Sequence, residues 1–349
     1  MHSDDIKKKA AELGFELAGV APATAMPETA SYAVWLERGY AGTMGYLGKR
    51  VAERSDPALL APGVRSVIVC ALNYESDRPR TRLDRARAWI SRYAWGEDYH
   101  TVVGDRLKAL AQWIESEAGG STRAYVDTGP LLERVYARYA GIGWFGKNTC
   151  IINEGAGSWL FLGCILTDLE LAFDSPPPDR CGTCTRCIDA CPTDAIVEPG
   201  VLDSRRCISY LNIELRGPIP EPMRDGIGHH LFGCDICQDV CPWNSRAPTG
   251  NDARLQARPG LFWPELDVLL DLDDDGWRRM IRGTAIKRAR VRGLVRNLMV
   301  VVGNSGLHRL RGPLERFFDY PDADVQSHAR WAHRKLGRPD SRALESSTD

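Results

Sequence analysis

The cysteines between residues 181 and 242 constrain this chain more than any other feature. The first run reads Cys-x-x-Cys-x-x-Cys-x-x-x-Cys-Pro from Cys181 to Pro192. The second reads Cys-x-x-Cys-x-x-x-Cys-Pro from Cys234 to Pro242, with Leu231 where a first cysteine would stand. Such runs wrap thiolates around 4Fe–4S clusters, and the last cysteine of each run ligates the other cluster. The spacing therefore predicts two 4Fe–4S clusters in a bacterial-ferredoxin-like insert.

The crossing of the two runs predicts which cysteines share a cluster. Cys207 is the one unassigned cysteine nearby and can replace the ligand missing at Leu231. The first cluster is then ligated by Cys181, Cys184, Cys187 and Cys241, and the second by Cys191, Cys207, Cys234 and Cys237. A pair of structural zinc sites is the alternative. The remaining cysteines, Cys70, Cys150 and Cys164, have apolar neighbours in the sequence and are predicted core residues.

Composition indicates a soluble protein of the cytoplasm. Apolar residues make up 44% of the 349 residues and charged residues 26%, as in ordinary folded domains. The longest apolar run, Trp159 to Leu166, is too short to span a bilayer, and the N-terminus lacks the apolar core of a signal peptide. In a reducing compartment eleven cysteines indicate metal binding rather than disulfides.

The chain is predicted to be an α+β multidomain protein. Residues 1–175 have the pattern of an α/β domain, with buried strands at 66–72, 123–126 and 159–167. A Pro-rich linker precedes the cysteine-dense segment, 176–247. Residues 262–339 are predicted to form helices that break at Gly283, Gly303, Gly306 and Gly312, a pattern typical of HEAT-like repeats.

One glycine motif imitates a dinucleotide site. Gly141-Ile-Gly-Trp-Phe-Gly146 matches G-x-G-x-x-G, but it follows a predicted helix where the fingerprint requires a strand. It also puts Trp144 and Phe145 in the tight turn. We therefore predict a helix-ending glycine turn rather than a nicotinamide site.

The helical C-terminal third is strongly basic. Residues 277–339 contain 15 Lys and Arg against 4 Asp and Glu, whereas the charged residues of 265–275 are all acidic. Phosphates are bound by such cations, and arginine suits them through its bidentate fork. We predict a nucleic-acid surface, with a solvated basic face as the alternative; the predicted contacts are Lys287, Arg288, Arg290, Arg292 and Arg296.

Several segments together resemble the epoxyqueuosine reductase family of tRNA queuosine synthesis. They are Tyr46-Leu47 with Arg54 and Asp56-Pro57, Arg92-Tyr-Ala-Trp-Gly96 with Asp98-Tyr99-His100, Val126-Asp-Thr-Gly-Pro130 with Glu133-Arg134, Gly143-Trp-Phe-Gly-Lys-Asn148, Cys207-Ile-Ser-Tyr-Leu211 and Asp239-Val-Cys-Pro-Trp-Asn244. With the cysteine runs, the resemblance spans roughly residues 5–335.

The resemblance implies an activity and a cofactor that spacing alone does not. It implies reduction of epoxyqueuosine to queuosine at the wobble position of a tRNA anticodon, by base-off cobalamin that a 4Fe–4S relay reduces. It makes residues 1–175 the cobalamin domain and Asp127 the general acid, kept protonated by burial beside the corrin. An Asp that caps the helix after Pro130 is the alternative. The expected cobalamin contacts are Arg54, Arg134, Asn148, Ile151, Leu162, Ser209 and Asp235.

The expected partners are a tRNA carrying epoxyqueuosine and a low-potential donor such as a flavodoxin or ferredoxin, with the protein acting as a monomer. Two other functions are considered. A reductive dehalogenase would share clusters and cobalamin, but such proteins usually carry a twin-arginine signal, absent here, and have no use for a basic helical tail. A ferredoxin-type carrier fused to an RNA-binding module would lack cobalamin.

Overall fold

The computed structural model describes residues 1–80 and 84–338. The chain divides into two compact units. Unit 1 contains Met1–Arg78, Gly96–Arg205 and Ile236–Gln256, and unit 2 contains the described parts of Pro79–Trp95, Arg206–Asp235 and Ala257–Asp349. These units interleave along the chain, whereas the predicted domains 1–175, 176–247 and 262–339 are consecutive segments. Residue 339, the predicted end of the last segment, lies outside the described residues.

Helices and strands are both present across the described residues. The helices are α1 Ser3–Glu12, α2 Glu28–Glu37, α3 Val51–Ser55, α4 Tyr99–Ala118, α5 Glu133–Tyr139, α6 Arg186–Asp189, α7 Glu221–Ile227, α8 Ile236–Asp239, α9 Leu266–Leu270, α10 Asp274–Ile281, α11 Arg290–Ser305 and α12 Ala323–Leu336. The strands are β1 Leu17–Pro22, β2 Ser66–Asn73, β3 Trp89–Ile90, β4 Thr122–Tyr125, β5 Trp144–Phe145, β6 Ile151–Ile152, β7 Leu160–Thr167, β8 Ile196–Glu198, β9 Val201–Leu202 and β10 His230–Phe232.

Unit 1 is built on an antiparallel sheet in the order β1-β2-β7-β4. Every residue of β2 is buried, which explains its unbroken apolar sequence. On one face Val69 of β2 shares a core with Tyr136 of α5. On the other face α4 packs so closely that a Cβ on Gly163 would lie 2.6 Å from Leu107 Cδ1. The predicted strands at 66–72, 123–126 and 159–167 are confirmed to within a residue or so.

Two helices of unit 1 set the position of the polar residues discussed below. α4 begins where the Asp98 carboxylate accepts a hydrogen bond from the His100 amide, and it ends at Gly119, whose φ is +67°. α5 begins at Glu133, three residues later than the sequence predicts from Pro130. The intervening turn contains Asp127 with φ +57°, a left-handed conformation unusual for a residue with a side chain.

The predicted glycine turn at 141–146 is confirmed. Gly141 follows α5 with φ +73°, and β5 then pairs with β6 as an antiparallel hairpin. A Cβ on Gly143 would lie 2.3 Å from the Ile152 carbonyl oxygen, so this glycine permits close strand pairing. The motif therefore ends a helix and opens a hairpin.

Unit 2 combines a parallel pairing of β3 with β10 and the helices α9–α12. The predicted break at Gly306 is confirmed, since it ends α11 with φ +67°. The predicted break at Gly303 is wrong, because α11 continues through it. A Cβ on Gly303 would lie 2.5 Å from the Trp331 ring, so this glycine lets α11 and α12 pack closely.

Among residues 1–80 and 84–338, no helix has the length and apolarity that a membrane crossing requires.

Candidate active site

The cysteines predicted to bind the first cluster surround one cavity in unit 1. The cavity has a volume of about 230 Å³. Its lining includes the thiols of Cys181, Cys184, Cys187 and Cys241 together with Lys147, Asn148 and Trp243. The structure thus brings the last cysteine of the second run to the first three of the first run, while their sharing of one cluster stays a prediction.

Local structure fixes the cavity wall. The first loop is a turn in which the Cys184 amide donates to the Cys181 carbonyl at 3.1 Å, with Gly182 at φ +51°. Cys187 lies in α6. The β5–β6 hairpin contributes Ile152 to the lining, and its Trp144 meets the Trp243 ring edge-on at 5.1 Å. These side chains pack with Cys181 and Cys241 in one hydrophobic cluster.

Burial disfavours the thiolate form of two of these cysteines, Cys187 and Cys241, and so raises their pKa values. It raises the pKa of Cys187 to about 11, and the neighbouring cysteine sulfurs add to the effect. Burial also raises the pKa of Cys241. Metal ligation requires thiolates, so binding a metal here releases protons.

The residues of the predicted second set belong to both units. Cys191 and Cys237 are in unit 1, and Cys207 and Cys234 are in unit 2. The Cys191 sulfur accepts a hydrogen bond from the Ala195 amide at 3.3 Å, a contact that suits a thiolate.

Asp235, beside Cys234, is buried and hydrogen-bonded to a neighbouring segment of unit 2. It is 1% exposed and accepts hydrogen bonds from the Trp89 indole at 3.0 Å, the Arg92 amide at 2.8 Å and the Ser91 hydroxyl. Burial raises its pKa. Its oxygens are enclosed and already hydrogen-bonded, and the expected contact of this segment with cobalamin stays a prediction.

A second polar centre of unit 1 surrounds Asp127. Its Oδ2 accepts a 2.7 Å hydrogen bond from the Tyr99 hydroxyl and lies 3.8 Å from His100 Nε2. The other ring nitrogen of His100 lies 2.7 Å from Asp98 Oδ1. The Asp127 amide donates to Glu133 Oε1 at 2.7 Å. Asp98, His100 and Asp127 thus form a continuous polar chain that ends at a side chain 66% exposed.

The pKa values of Asp127, His100 and Glu133 are all shifted from their ordinary values. The interaction with His100, followed by burial and the Tyr99 hydrogen bond, leaves the Asp127 pKa lowered rather than raised. Asp127 and Asp98 raise the His100 pKa to about 9. Burial, together with the Asp127 charge, raises the Glu133 pKa to about 8. Protonation of Asp127 beside a bound corrin stays a prediction; within the pair itself, the proton lies on His100 at neutral pH.

The contacts of Tyr99, His100 and Glu133 with Asp127 were not predicted from the sequence. Tyr99 and His100 stand in the first turn of α4, so the helix start presents both to Asp127. Tyr99 also stacks on Phe161 of β7 with centroids 4.4 Å apart. The run Asp98-Tyr99-His100 was visible in the sequence, but nothing local linked it to a residue 27 positions beyond His100.

The expected cobalamin contacts in unit 1 divide into open and enclosed side chains. Arg134 is exposed and donates to the Thr149 carbonyl at 3.1 Å, and Leu162 is half-buried. Among the described residues, the buried Nε of Arg54 has no hydrogen-bond partner. The Asn148 side chain is buried and donates to the Cys237 carbonyl at 3.2 Å, and Ile151 is in the core. The predicted cobalamin contacts of the segment that contains Asn148 and Ile151 stay predictions.

The basic residues of unit 2 include one that is structural. Arg296 is 3% exposed and donates to the carbonyls of Leu211, Leu215 and Gly217 at 2.6–2.8 Å. It is enclosed, so the prediction that it contacts phosphate is wrong. Four other predicted residues, Lys287, Arg288, Arg290 and Arg292, are exposed.

Two of the exposed arginines already have acidic partners. Arg288 forms a bidentate pair with Glu214, both contacts at 2.8 Å. Arg292 pairs with Asp322 and Asp324. A phosphate would therefore compete with these carboxylates.

These features are those of a protein with a double-cluster 4Fe–4S domain and a separate centre of titratable side chains around Asp127. A family model for the 4Fe-4S double cluster binding domain matches residues 180–244. A second, described as epoxyqueuosine reductase QueG, DUF1730, matches residues 54–128.

Full-length relatives identify the family. The chain is 41% identical over 338 residues to the epoxyqueuosine reductase of Xanthomonas campestris pv. campestris, covering 95% of each. It is 46% identical over 309 residues to that of Gloeobacter violaceus, covering 86% of this chain and 96% of the relative. The chain belongs to the epoxyqueuosine reductase family.

Solved structures of epoxyqueuosine reductases are similar to this chain over nearly its whole length. A crystal structure of epoxyqueuosine reductase with a tRNA-Tyr epoxyqueuosine-modified stem loop has a TM-score of 0.90 at 30% identity, covering 99% of this chain and 94% of the other. A Bacillus subtilis epoxyqueuosine reductase, with its catalytic aspartate loop swung out of the active site, has a TM-score of 0.89 at 29% identity and the same coverage.

Proposed function

We propose that this chain reduces epoxyqueuosine to queuosine at the wobble position of tRNA. Support comes from family membership, from the cysteine-lined cavity and from the polar centre at Asp127. The reaction takes two electrons and two protons, breaks both epoxide C–O bonds and yields an alkene and water. The chain must therefore both deliver electrons and supply protons, and its two centres have the chemistry for these tasks.

The cavity in unit 1 fits the first cluster. A 4Fe–4S cube takes four thiolates, and four cysteine thiols line this cavity. We propose Cys181, Cys184, Cys187 and Cys241 as ligands of this cluster, and Cys191, Cys207, Cys234 and Cys237 as ligands of the second. The second cluster is proposed to be the one nearer the cobalamin.

We propose base-off cobalamin as the further cofactor. Reduced cobalamin would supply the strongly nucleophilic cobalt that epoxide opening needs. The buried, partnerless Nε of Arg54 fits a polar acceptor such as a phosphate of the nucleotide tail. The other proposed contacts are Arg134, Leu162 and Ser209, each exposed or half-buried, and the segments of Asn148, Ile151 and Asp235, whose side chains are buried.

Asp127 is the proposed general acid. Opening the epoxide leaves an alkoxide, which an acid within hydrogen-bond reach would protonate. The His100–Asp127 pair holds one proton at neutral pH, on His100. That proton would first pass across the 3.8 Å separation to Asp127, which would then donate it to the alkoxide. The swung-out loop of the B. subtilis relative supports a mobile position for the corresponding loop here.

The basic helices of unit 2 are the proposed tRNA surface. Lys287, Arg288, Arg290 and Arg292 are exposed, and such cations bind phosphates. The relative crystallised with a tRNA stem loop supports this role. We further propose that α9–α12 form HEAT-like pairs, that a flavodoxin or ferredoxin supplies electrons, and that the protein acts as a monomer in the cytoplasm.

Family membership carries this proposal, and an anaerobic assay tests it. Full-length protein with reconstituted clusters is supplied with cobalamin, a strong reductant and an epoxyqueuosine-containing anticodon stem loop. We expect queuosine only when all are present. A halogenated phenol serves as the control substrate. Dehalogenation without queuosine formation would favour a dehalogenase, and an iron-loaded chain that binds no cobalamin would favour an electron carrier.

A further inference from the structure

Lys147 lies between the β5–β6 hairpin and the first cysteine loop. Its ammonium donates to the Gly182 carbonyl at 2.7 Å and to the Cys184 carbonyl at 2.9 Å. Both acceptors belong to the turn that carries Cys181 and Cys184. Its own carbonyl accepts from the Gly200 amide at 3.0 Å, which fixes the backbone from which the side chain extends. One side chain thus fastens the loop that presents half of the cavity's cysteines.

The next residue performs the matching task for the second run. Asn148 donates to the Cys237 carbonyl at 3.2 Å and accepts from the Cys150 amide at 3.2 Å. Two consecutive residues at one hairpin tip therefore tie both cysteine runs to the same element. Asn148 does this without charge, whereas Lys147 brings a cation to the cavity.

The charge of Lys147 is not neutralised locally. Within residues 1–80 and 84–338 its ammonium has carbonyl partners but no carboxylate at ion-pair distance. Arg180, which lines the same cavity, pairs with Glu154 at 3.2 Å and is half-exposed. A cluster with four thiolates carries net negative charge that increases by one on reduction. A half-buried, unpaired cation beside it favours the reduced form.

We propose that Lys147 is a positioning residue for electron entry: it fastens the first cluster loop, and its charge raises that cluster's reduction potential. This rests on the proposed assignment of Cys181, Cys184, Cys187 and Cys241 to one cluster. A unit charge about 10 Å away in a medium of effective dielectric constant about 20 changes an equilibrium roughly tenfold. For a one-electron couple a tenfold change is about 59 mV.

The test is an anaerobic redox titration of the full-length, cluster-loaded protein, followed by electron paramagnetic resonance, with iron counted per chain. Lys147→Met removes charge and donor, Lys147→Gln keeps a donor, and Lys147→Arg keeps the charge. Arg180→Gln is the matched control, because it removes a screened charge from the same cavity. The second cluster is an internal reference.

We expect the Met and Gln variants to lower one cluster potential by about 59 mV and to leave the other unchanged. The Arg variant and the Arg180→Gln control should stay within about twofold of the parent equilibrium. Unshifted potentials in iron-replete Met and Gln variants would overturn the proposal, and so would an Arg variant that shifts as far as Met.

The iron content of the Lys147 variants also tests the proposal. If Met and Gln lose the cluster and Arg retains it, the fastening role by a cation stands; if all three lose it, the proposal fails. A parent chain without two cubane signals would instead overturn the cluster assignment, which separates the two failures.

Discussion

The Tyr99 hydroxyl donates a 2.7 Å hydrogen bond to Asp127 Oδ2, so the first turn of α4 orients a carboxylate that lies in a separate, left-handed turn. His100, the next residue, lies 3.8 Å from the same oxygen. Two consecutive residues of one helix start thus orient the proposed acid and hold its proton.

Asp127→Asn should abolish most of the turnover while both clusters and cobalamin binding remain. An amide cannot deliver the proton, and loss of a general acid costs on the order of a hundredfold or more. Single-turnover formation of queuosine, with iron and cobalamin quantified, measures this. Turnover within a few-fold of the parent would show that Asp127 is not the general acid and would favour the alternative, a helix-capping residue.

The rate should fall as the pH rises through about 9. His100 is protonated below its raised pKa of about 9 and loses its proton above it. The associated stability is fully present below the ordinary pKa of about 6.5 and is lost towards pH 9. The pH profile of kcat/KM measures this, with His100→Gln as comparison. A variant that keeps the parent's alkaline limb would show that another group sets it.

Glu133→Gln should reduce the pH dependence of stability. The Glu133 pKa is raised to about 8 in the folded protein, so the carboxyl's contribution is complete below about pH 4.5 and is lost as the pH rises through 8. The amide carries no such titration and still accepts from the Asp127 amide. Thermal melts at several pH values should show parent and variant alike near pH 4 and the variant more stable near pH 8. Parallel curves would contradict the raised pKa.

Substitutions of Arg290 and Arg296 should have opposite effects on protein stability. Arg290→Gln changes an exposed cation, so stability should stay within about 0.5 kcal/mol. The salt dependence of tRNA binding should flatten by a little under one unit if Arg290 contacts a phosphate. Arg296→Met leaves buried carbonyls without donors and should cost on the order of 3 kcal/mol. Denaturant melts measure the stability of each variant, and tRNA binding at several salt concentrations measures the phosphate contacts. Equal stability losses in the two variants would contradict the assignment of Arg290 to the surface and Arg296 to the protein interior.

Cys207→Ala should lower the iron content below the eight per chain expected of two cubanes, because the second cluster loses a ligand. Cys150→Ala, outside the assigned eight, is the control and should keep full iron. Full iron and an unchanged spectrum in Cys207→Ala would overturn the crossed assignment.

The sequence predicted best what depends on spacing along the chain. β2 is apolar at nearly every position because both faces are covered, and the cysteine runs identify themselves by their intervals. The role of Gly303 could not be predicted. In a sequence, a glycine that lets a neighbouring helix pack closely cannot be distinguished from a glycine that ends a helix.

Residues defined by tertiary contacts were predicted poorly. Arg296 reads as one more basic residue until its three carbonyl acceptors are seen. Asp127 owes its lowered pKa to residues of another helix, and neither its partners nor its left-handed φ leave a local signal. Side-chain charge could be counted from the sequence, but its environment could not.

The most direct test of the central claim is nucleoside mass spectrometry of tRNA from a bacterial strain that lacks its own epoxyqueuosine reductase and expresses this chain. Cobalamin is supplied, and Asp127→Asn at equal expression is the control. We predict that queuosine replaces epoxyqueuosine with the parent chain and that epoxyqueuosine persists with the variant. Persistence of epoxyqueuosine with an iron-replete, cobalamin-supplied parent would contradict the account.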